Sequence, residues 1–205
     1  MPTLHETLSR YLPADAVEVI ADWTIKHQVR IKITRSRSSK AGDYRAPEQH
    51  KGHRISINHD LNPYAFLITL VHEFAHLTTW KRHNHRVHPH GKEWKKEFQA
   101  LMGPFFYGNI FPADVLAAIR RHMQDPAAAG CSDTALERTL RLYNKNESGG
   151  LPLESLPDGT VFRMENGRCF RKGKKLRKNF LCKSIHNGAL YRIHPLVQVA
   201  VQTEA

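Results

Sequence analysis

Cysteine is scarce, acidic residues are outnumbered, and long apolar runs are missing from this 205-residue chain. Its three cysteines, Cys131, Cys169 and Cys182, are odd in number and form no CxxC pair, which argues against a disulfide framework and for a reducing, cytoplasmic setting. No apolar run reaches the roughly eighteen residues that a membrane-spanning helix needs, so no membrane segment is expected. The opening Met1-Pro2-Thr3-Leu4-His5-Glu6 lacks a cationic segment followed by an apolar one, so no secretory signal is expected either. A composition of 40% hydrophobic and 24% charged residues excludes a disordered or collagen-like chain and allows a packed core. No Ser/His/Asp nucleophile arrangement is visible.

Positive charge and histidine are abundant instead. Lys and Arg number 31 against 19 Asp and Glu, a net charge of +12, so a polyanion such as nucleic acid suits the chain better than a basic substrate. Six of its fourteen histidines fall between His72 and His90.

Thr3 and Glu6 have the spacing of a capping box, and Leu4, Leu8, Tyr11 and Leu12 recur on one face of a first helix. Val17, Ile20 and Trp23 mark a second helix after Pro13. Val29–Thr34 and Arg54–Asn58 alternate with period two and read as strands, while the polar stretch Ser36–Gly52 reads as turn and loop around a short segment at Tyr44. Asn62-Pro63 supplies a helix N-cap and first residue. No breaker follows until about Trp80, and Phe66, Leu67, Leu70, Val71, Phe74, Ala75 and Leu77 cover most of the circumference, which predicts a buried central helix. A basic, histidine-rich loop, Lys81–His90, comes next. Further helices are expected at Lys92–Leu101, Ala113–Met123 and Thr134–Tyr143, with a turn at Pro126–Gly130 and a cap at Ser132.

Asn144–Gly150 has linker composition and divides the chain into a domain over 1–148 and a small basic β-domain over 149–205. In the latter, Val161–Met164, Arg168–Arg171, Leu176–Cys182, Leu190–Ile193 and Val197–Val201 are strand-like, with Asn166-Gly167 and Asn187-Gly188 as turn signals.

The central helix contains His72-Glu73-Phe74-Ala75-His76, an HExxH pattern. Residues four apart share a helical face, so two imidazoles can hold one cation without backbone strain. Glu73 can then reach a zinc-activated water, take its proton as it attacks a carbonyl, and pass that proton to the leaving amine. A catalytic zinc needs a third protein ligand and one open position. His83, His85, His88 and His90 all follow on the loop. His90 is favoured because Pro89, Gly91 and the helix bearing Trp94 and Phe98 would fix it, with His88 as the chief alternative. Trp80 and Trp94 read as core anchors. Tyr44 and Tyr64 could polarise a carbonyl but read more simply as structural.

Val71-His72-Glu73-Phe74-Ala75-His76-Leu77, followed by Pro89-His90-Gly91-Lys92-Glu93-Trp94, resembles the SprT-like family of zinc metallopeptidases, whose eukaryotic relative Spartan is a protease of DNA–protein crosslinks. Gly42-Asp43-Tyr44-Arg45 and Ile55-Ser56-Ile57-Asn58 resemble that family's strand pair before the active helix. The resemblance covers about residues 1–145. It implies a zincin-like α+β fold with a short sheet packed on the HExxH helix, one Zn²⁺ on His72, His76 and His90, and Glu73 as catalytic base. Many members of the family close with a four-cysteine zinc ribbon. Here a small all-β module with no such ribbon is expected in its place.

Between Arg163 and Lys183 nine basic residues face Glu165 alone. Arg171, Lys172, Lys174, Lys175, Arg177 and Lys178 are the expected nucleic-acid contacts, sequence-nonspecific and salt-sensitive. Three classes of function fit. They are a zinc endopeptidase acting on proteins bound or crosslinked to DNA, a nucleic-acid-binding regulatory protein with a structural zinc and no peptidase activity, and a zinc hydrolase of another bond. Glu73 favours the first, because a structural site needs no carboxylate between its ligands.

Overall fold

The computed structural model describes residues 2–37, 39–126, 134–144 and 150–202. The fold is α+β and divides into two compact units, Met1–Asn144 and Lys145–Ala205. Among the described residues, no helix is long and apolar enough to cross a membrane. Cys131, the cap at Ser132, most of the turn at Pro126–Gly130 and linker residues 145–149 lie outside the described residues.

In the first unit, α1 (Leu4–Ser9) opens with the Thr3–Glu6 capping box, each side chain bonding the other's backbone N–H. A 3-10 turn at Ala14–Ala16 leads into α2 (Val17–His27), which ends where Gln28 adopts a left-handed conformation. Three strands follow, β1 (Arg30–Thr34), β2 (Gly42–Arg45) and β3 (Arg54–Asn58), in the order β1-β3-β2. β1 runs parallel to β3 and β2 antiparallel, pairing Gly42 with Ile57 and Tyr44 with Ile55. The sequence shows β2 only as a short segment in a polar loop, because its four residues are half-exposed and carry no alternating apolar pattern.

Helix α3 (Pro63–His83) is capped by Asn62, whose Oδ1 accepts from the N–H groups of Tyr64 (3.1 Å) and Ala65 (3.0 Å). The Asn62 amide also donates to Leu140 O and Asn144 Oδ1, each at 2.8 Å, which ties the helix start to the end of the unit. The helix continues one turn into the expected loop. Lys81, Arg82 and His83 suit its negative C-terminal end, and only Asn84, at φ 51°, stops it. Phe66, Leu67, Leu70, Val71, Phe74, Ala75 and Leu77 are fully buried in one core with Ile55 and Ile57 of β3 and with Trp94, Phe98 and Met102 of α4 (Lys92–Met102). Arg82 pairs with the buried Glu97 at 2.7 Å, a second link between α3 and α4. α5 (Ala113–His122) and α6 (Thr134–Arg141) complete the unit.

The second unit is a six-stranded antiparallel sheet in the order β4-β9-β5-β6-β7-β8. The strands are β4 (Leu151–Pro152), β5 (Val161–Met164), β6 (Cys169–Lys175), β7 (Phe180–Ser184), β8 (Leu190–Ile193) and β9 (Gln198–Val201), with one 3-10 turn at Leu153–Ser155. Its core holds Leu153, Leu156, Phe162, Phe170, Phe180, Cys182, Ile193 and Val199. The β6–β7 turn lies at Leu176–Asn179, four residues later than the hydrophobic pattern indicates, so the basic run Lys172–Lys175 is strand.

That shift overturns one expected contact. Lys172 pairs with Cys182 on the inner face and is only 4% exposed, so it cannot meet a phosphate. Its ammonium donates to Leu156 O and, at 3.4 Å, to Glu154 O, and lies 4.0 Å from the Phe180 ring centroid. A period-two strand admits lysine inward when backbone carbonyls wait at the end of its stem. Lys172→Met keeps the stem and removes the donor. It should lower the unfolding free energy of this unit by about 1–3 kcal/mol through the stranded carbonyls. Urea unfolding checks this, and an unmoved midpoint would contradict the role.

Candidate metal centre

His72 and His76 lie one turn apart on α3, and both rings point the same way. His90 arrives from the loop before α4 with φ 60°, a conformation that non-glycine residues adopt at a cost of order 1–3 kcal/mol. The Gly91 N–H closes a turn onto His88 O at 2.9 Å, and Gly91 then caps α4. The strained backbone at His90 thus turns its ring toward α3.

The three rings converge. Nε2–Nε2 separations are 3.2 Å for His72–His76, 3.0 Å for His76–His90 and 3.2 Å for His90–His72. Among the described residues this is the one His/Cys/Asp/Glu group close enough to hold an ion, and His83, His85 and His88 are not in it. His85 instead accepts from the Trp80 indole at 3.4 Å. A tetrahedral zinc with Zn–N bonds of about 2.0–2.1 Å spaces its donors about 3.3 Å apart, so the nitrogen triangle has the size of one coordination face. Protons alone cannot satisfy such a triangle, because each N–H aimed at one neighbour leaves another nitrogen facing it. A cation meets all three lone pairs at once. The donor set therefore fits zinc.

Trp94, fully buried on α4, walls the cluster, with ring centroids 4.6 Å from His72, 4.7 Å from His90 and 5.4 Å from His76. Phe98 meets His72 edge-on at 5.6 Å. Burial, then the neighbouring imidazoles, push His72 down to about 3 and His76 to about 4, and burial lowers His90 too. The rings are thus neutral and available as ligands well below neutral pH.

Glu73 is 6% exposed, between α3 and β2. Burial, then the Asp43 carboxylate, raise its pKa to about 8, opposed by a hydrogen bond from the Tyr44 backbone N–H and by Lys40 and Arg37. Asp43 is itself engaged by Lys40 (2.8 Å) and Arg45 (3.0 Å). Tyr44 and Tyr64 make the structural contacts that their simpler reading expects. The Tyr44 hydroxyl bonds His53 Nδ1 at 2.9 Å, and Tyr64 packs on Tyr143 and Phe111.

In the second unit, Arg171, Lys174, Lys175, Arg177 and Lys178 are exposed, unlike Lys172. Arg163, Lys183 and Arg192 join them on the surface, and Arg171 sits directly opposite Lys183 across β6–β7. The six strands carry seven basic residues and no carboxylate. Arg168 lies over the Phe170 and Tyr191 rings at 5.1 and 4.6 Å.

The first unit is thus an α+β domain whose central helix supplies two histidines of a three-histidine cluster. The SprT-like family model matches residues 14–114, and over that stretch the chain belongs to the SprT-like family. It is 36% identical over 104 residues to Protein SprT of Erwinia tasmaniensis, covering 50% of this chain and 57% of that protein. It is 51% identical over 86 residues to Protein SprT of Escherichia coli O157:H7, covering 41% of this chain and 48% of that protein. The matches thus span about half the length of these curated relatives. No solved structure matches the chain.

The shifted groups give the metal-free domain opposed pH limbs. His72 and His76 titrate below the ordinary 6.5, so the unfolded chain takes up protons first, and stability is lost as pH falls from 6.5 toward 4. Glu73 titrates near 8 against an ordinary 4.5, so the folded chain keeps a proton that the unfolded chain releases, and stability is lost as pH rises through that window. Where the windows overlap the imidazoles outnumber the carboxyl, so Tm of chelator-treated protein should peak near pH 6.5. Glu73→Gln should remove the alkaline limb alone, and an unchanged alkaline limb in that variant would contradict the assignment.

Proposed function

We propose that the chain is a zinc-dependent endopeptidase of zincin type, acting on proteins bound or crosslinked to DNA. One observation carries the catalytic part: three neutral imidazole nitrogens form a triangle of zinc-coordination size, with a buried carboxyl on the residue next to the first of them. A zinc ion held by His72, His76 and His90 would supply Lewis-acid polarisation of water and of the substrate carbonyl. Glu73 takes the proton of the attacking water and returns it to the departing amine. Burial raises the Glu73 pKa in the metal-free protein, and the charge of a bound zinc would draw it back down, toward the range in which one group can accept and then donate a proton. Trp94 and Phe98 exclude solvent behind the imidazoles and hold the rings at fixed tilt.

A regulatory protein with a purely structural zinc would have no use for a buried, desolvated carboxyl next to a ligand, a group that costs stability. Glu73→Gln should bind one zinc per chain as wild type does and lose at least about a hundredfold in cleavage of a DNA-crosslinked protein. Full activity in that variant would refute the base. His90→Ala should lose zinc, and His88→Ala should retain it.

The nucleic-acid part rests on the second unit. Like charges opposed across a strand pair, as Arg171 and Lys183 are, destabilise a bare sheet and are relieved by a polyanion. Arg163, Arg171, Lys174, Lys175, Arg177, Lys178, Lys183 and Arg192 would track phosphates without reading bases. Arg171→Ala/Lys183→Ala should weaken binding to random-sequence DNA and flatten its dependence on salt. Salt-independent affinity in the wild type would refute this part alone.

A further inference from the structure

Gly42 opens strand β2 in a regular antiparallel pairing, opposite Ile57, and its φ is not in the left-handed region that calls for glycine. The backbone would accept any residue there. The space would not. A Cβ at this position would sit 2.6 Å from Glu73 Oε1, 2.9 Å from Glu73 Cγ and 2.8 Å from Thr69 Cγ2, all closer than real Cβ contacts come. Two residues on, the Tyr44 N–H lies close enough to the same carboxyl group to lower its pKa. Asn58 N–H donates to Ala41 O, so in the β2–β3 register the alternate N–H groups, those of Gly42 and Tyr44, face away from β3, and at Gly42 the strand comes up against Glu73 and Thr69 of α3. The carboxyl group therefore lies in a notch whose floor is the missing side chain of Gly42 and whose donor is the backbone of Tyr44.

We propose that strand β2 is the positioning element for Glu73, with Gly42 kept side-chain-free so that the carboxyl group can lie against the strand, one oxygen over Gly42 and within reach of the Tyr44 N–H. Gly42 touches neither metal nor substrate. It acts through Glu73 and sets where the proton acceptor stands relative to the three imidazoles. The kinetic consequence rests on the peptidase reading above, whereas the steric one does not.

Two substitutions separate the contacts a new Cβ would make. Glu73→Ala removes the carboxyl group, and Thr69→Ser removes only the threonine methyl. Gly42→Ala should lower Tm and, at unchanged zinc stoichiometry, reduce kcat by about a hundredfold with KM little altered, as expected for a displaced catalytic group. Placed in the Glu73→Ala background, Gly42→Ala should lower Tm by clearly less than it does in the wild type, the remainder being the contact with Thr69 Cγ2. In the Thr69→Ser background, the Tm and kcat losses should persist. Should Gly42→Ala fail to fold, a folded Gly42→Ala/Glu73→Ala double variant supports the notch, and an unfolded one overturns it. An unchanged Tm in Gly42→Ala also overturns it. So does an equal Tm loss with and without Glu73, or rescue by Thr69→Ser, which would make Gly42 a helix–strand packing residue only. If the wild type cleaves nothing, the peptidase reading falls, and the Tm comparison still decides the steric claim.

Discussion

Three imidazole nitrogens held within 3.2 Å of one another in a partly dehydrated setting repel as cations and gain little as neutral groups. Without an ion, the surrounding fold must force that contact. The forcing is visible in three places. The helical repeat fixes two rings, a left-handed backbone at His90 turns the third, and the Trp94 indole closes the side away from solvent. Metal binding would turn the same contact into a source of stability, since it satisfies three lone pairs that the apo fold leaves crowded. The short sheet and the Arg82–Glu97 bridge serve this arrangement, the first by bracing α3 along its length and the second by fixing the α3–α4 angle beside the loop.

What was legible in the sequence follows from what short-range rules encode. The Asn62-Pro63 start, the apolar wrap of α3 and the i,i+4 spacing of His72 and His76 are properties of one helix, and neighbouring residues specify them. The placement of His90, and not His88, beside His72 and His76 is also local, since a side chain between Pro89 and Gly91 at a helix start has fewer positions available than one inside a loop. The helix ran on to His83 because no residue before Asn84 opposes it, a point obscured by reading a basic stretch as loop.

The rest depended on contacts between distant segments. Nothing in Gly42-Asp43-Tyr44-Arg45 shows that its glycine faces a carboxyl group thirty-one residues later, because the requirement is set by the approach of α3 and not by the backbone of β2. The β6–β7 turn was misplaced for a related reason. Alternation from Phe170 would carry Lys172 inward, and the strand ends at Arg171 only if lysine is assumed to seek water; the carbonyls of Glu154 and Leu156 that overrule this lie in and just after a separate 3-10 turn. A lone glycine in a half-exposed strand and a lone inward lysine in a basic run are the signals to look for, and each acquires meaning only with its partner.

These two buried ionisable groups, one in each unit, meet the same difficulty by the same means. Glu73 and Lys172 are each removed from water by more than nine-tenths, and the opposite charges near them are peripheral: the largely exposed Asp158 at 3.8 Å from Lys172, and Lys40 and Arg37 acting on Glu73. Each is met by main chain, an N–H for the carboxyl group and carbonyls for the ammonium. Backbone dipoles are fixed by the surrounding strands and do not reorganise, so they hold a charge in place without the side-chain entropy that an ion pair surrenders. The difference lies in completeness. Lys172 has two carbonyls and an aromatic face and is settled, whereas burial, and then Asp43, raise the Glu73 pKa against the opposition of one backbone N–H. Incomplete satisfaction leaves a carboxyl group able to exchange a proton near neutral pH, which a fully solvated or fully paired one would not do.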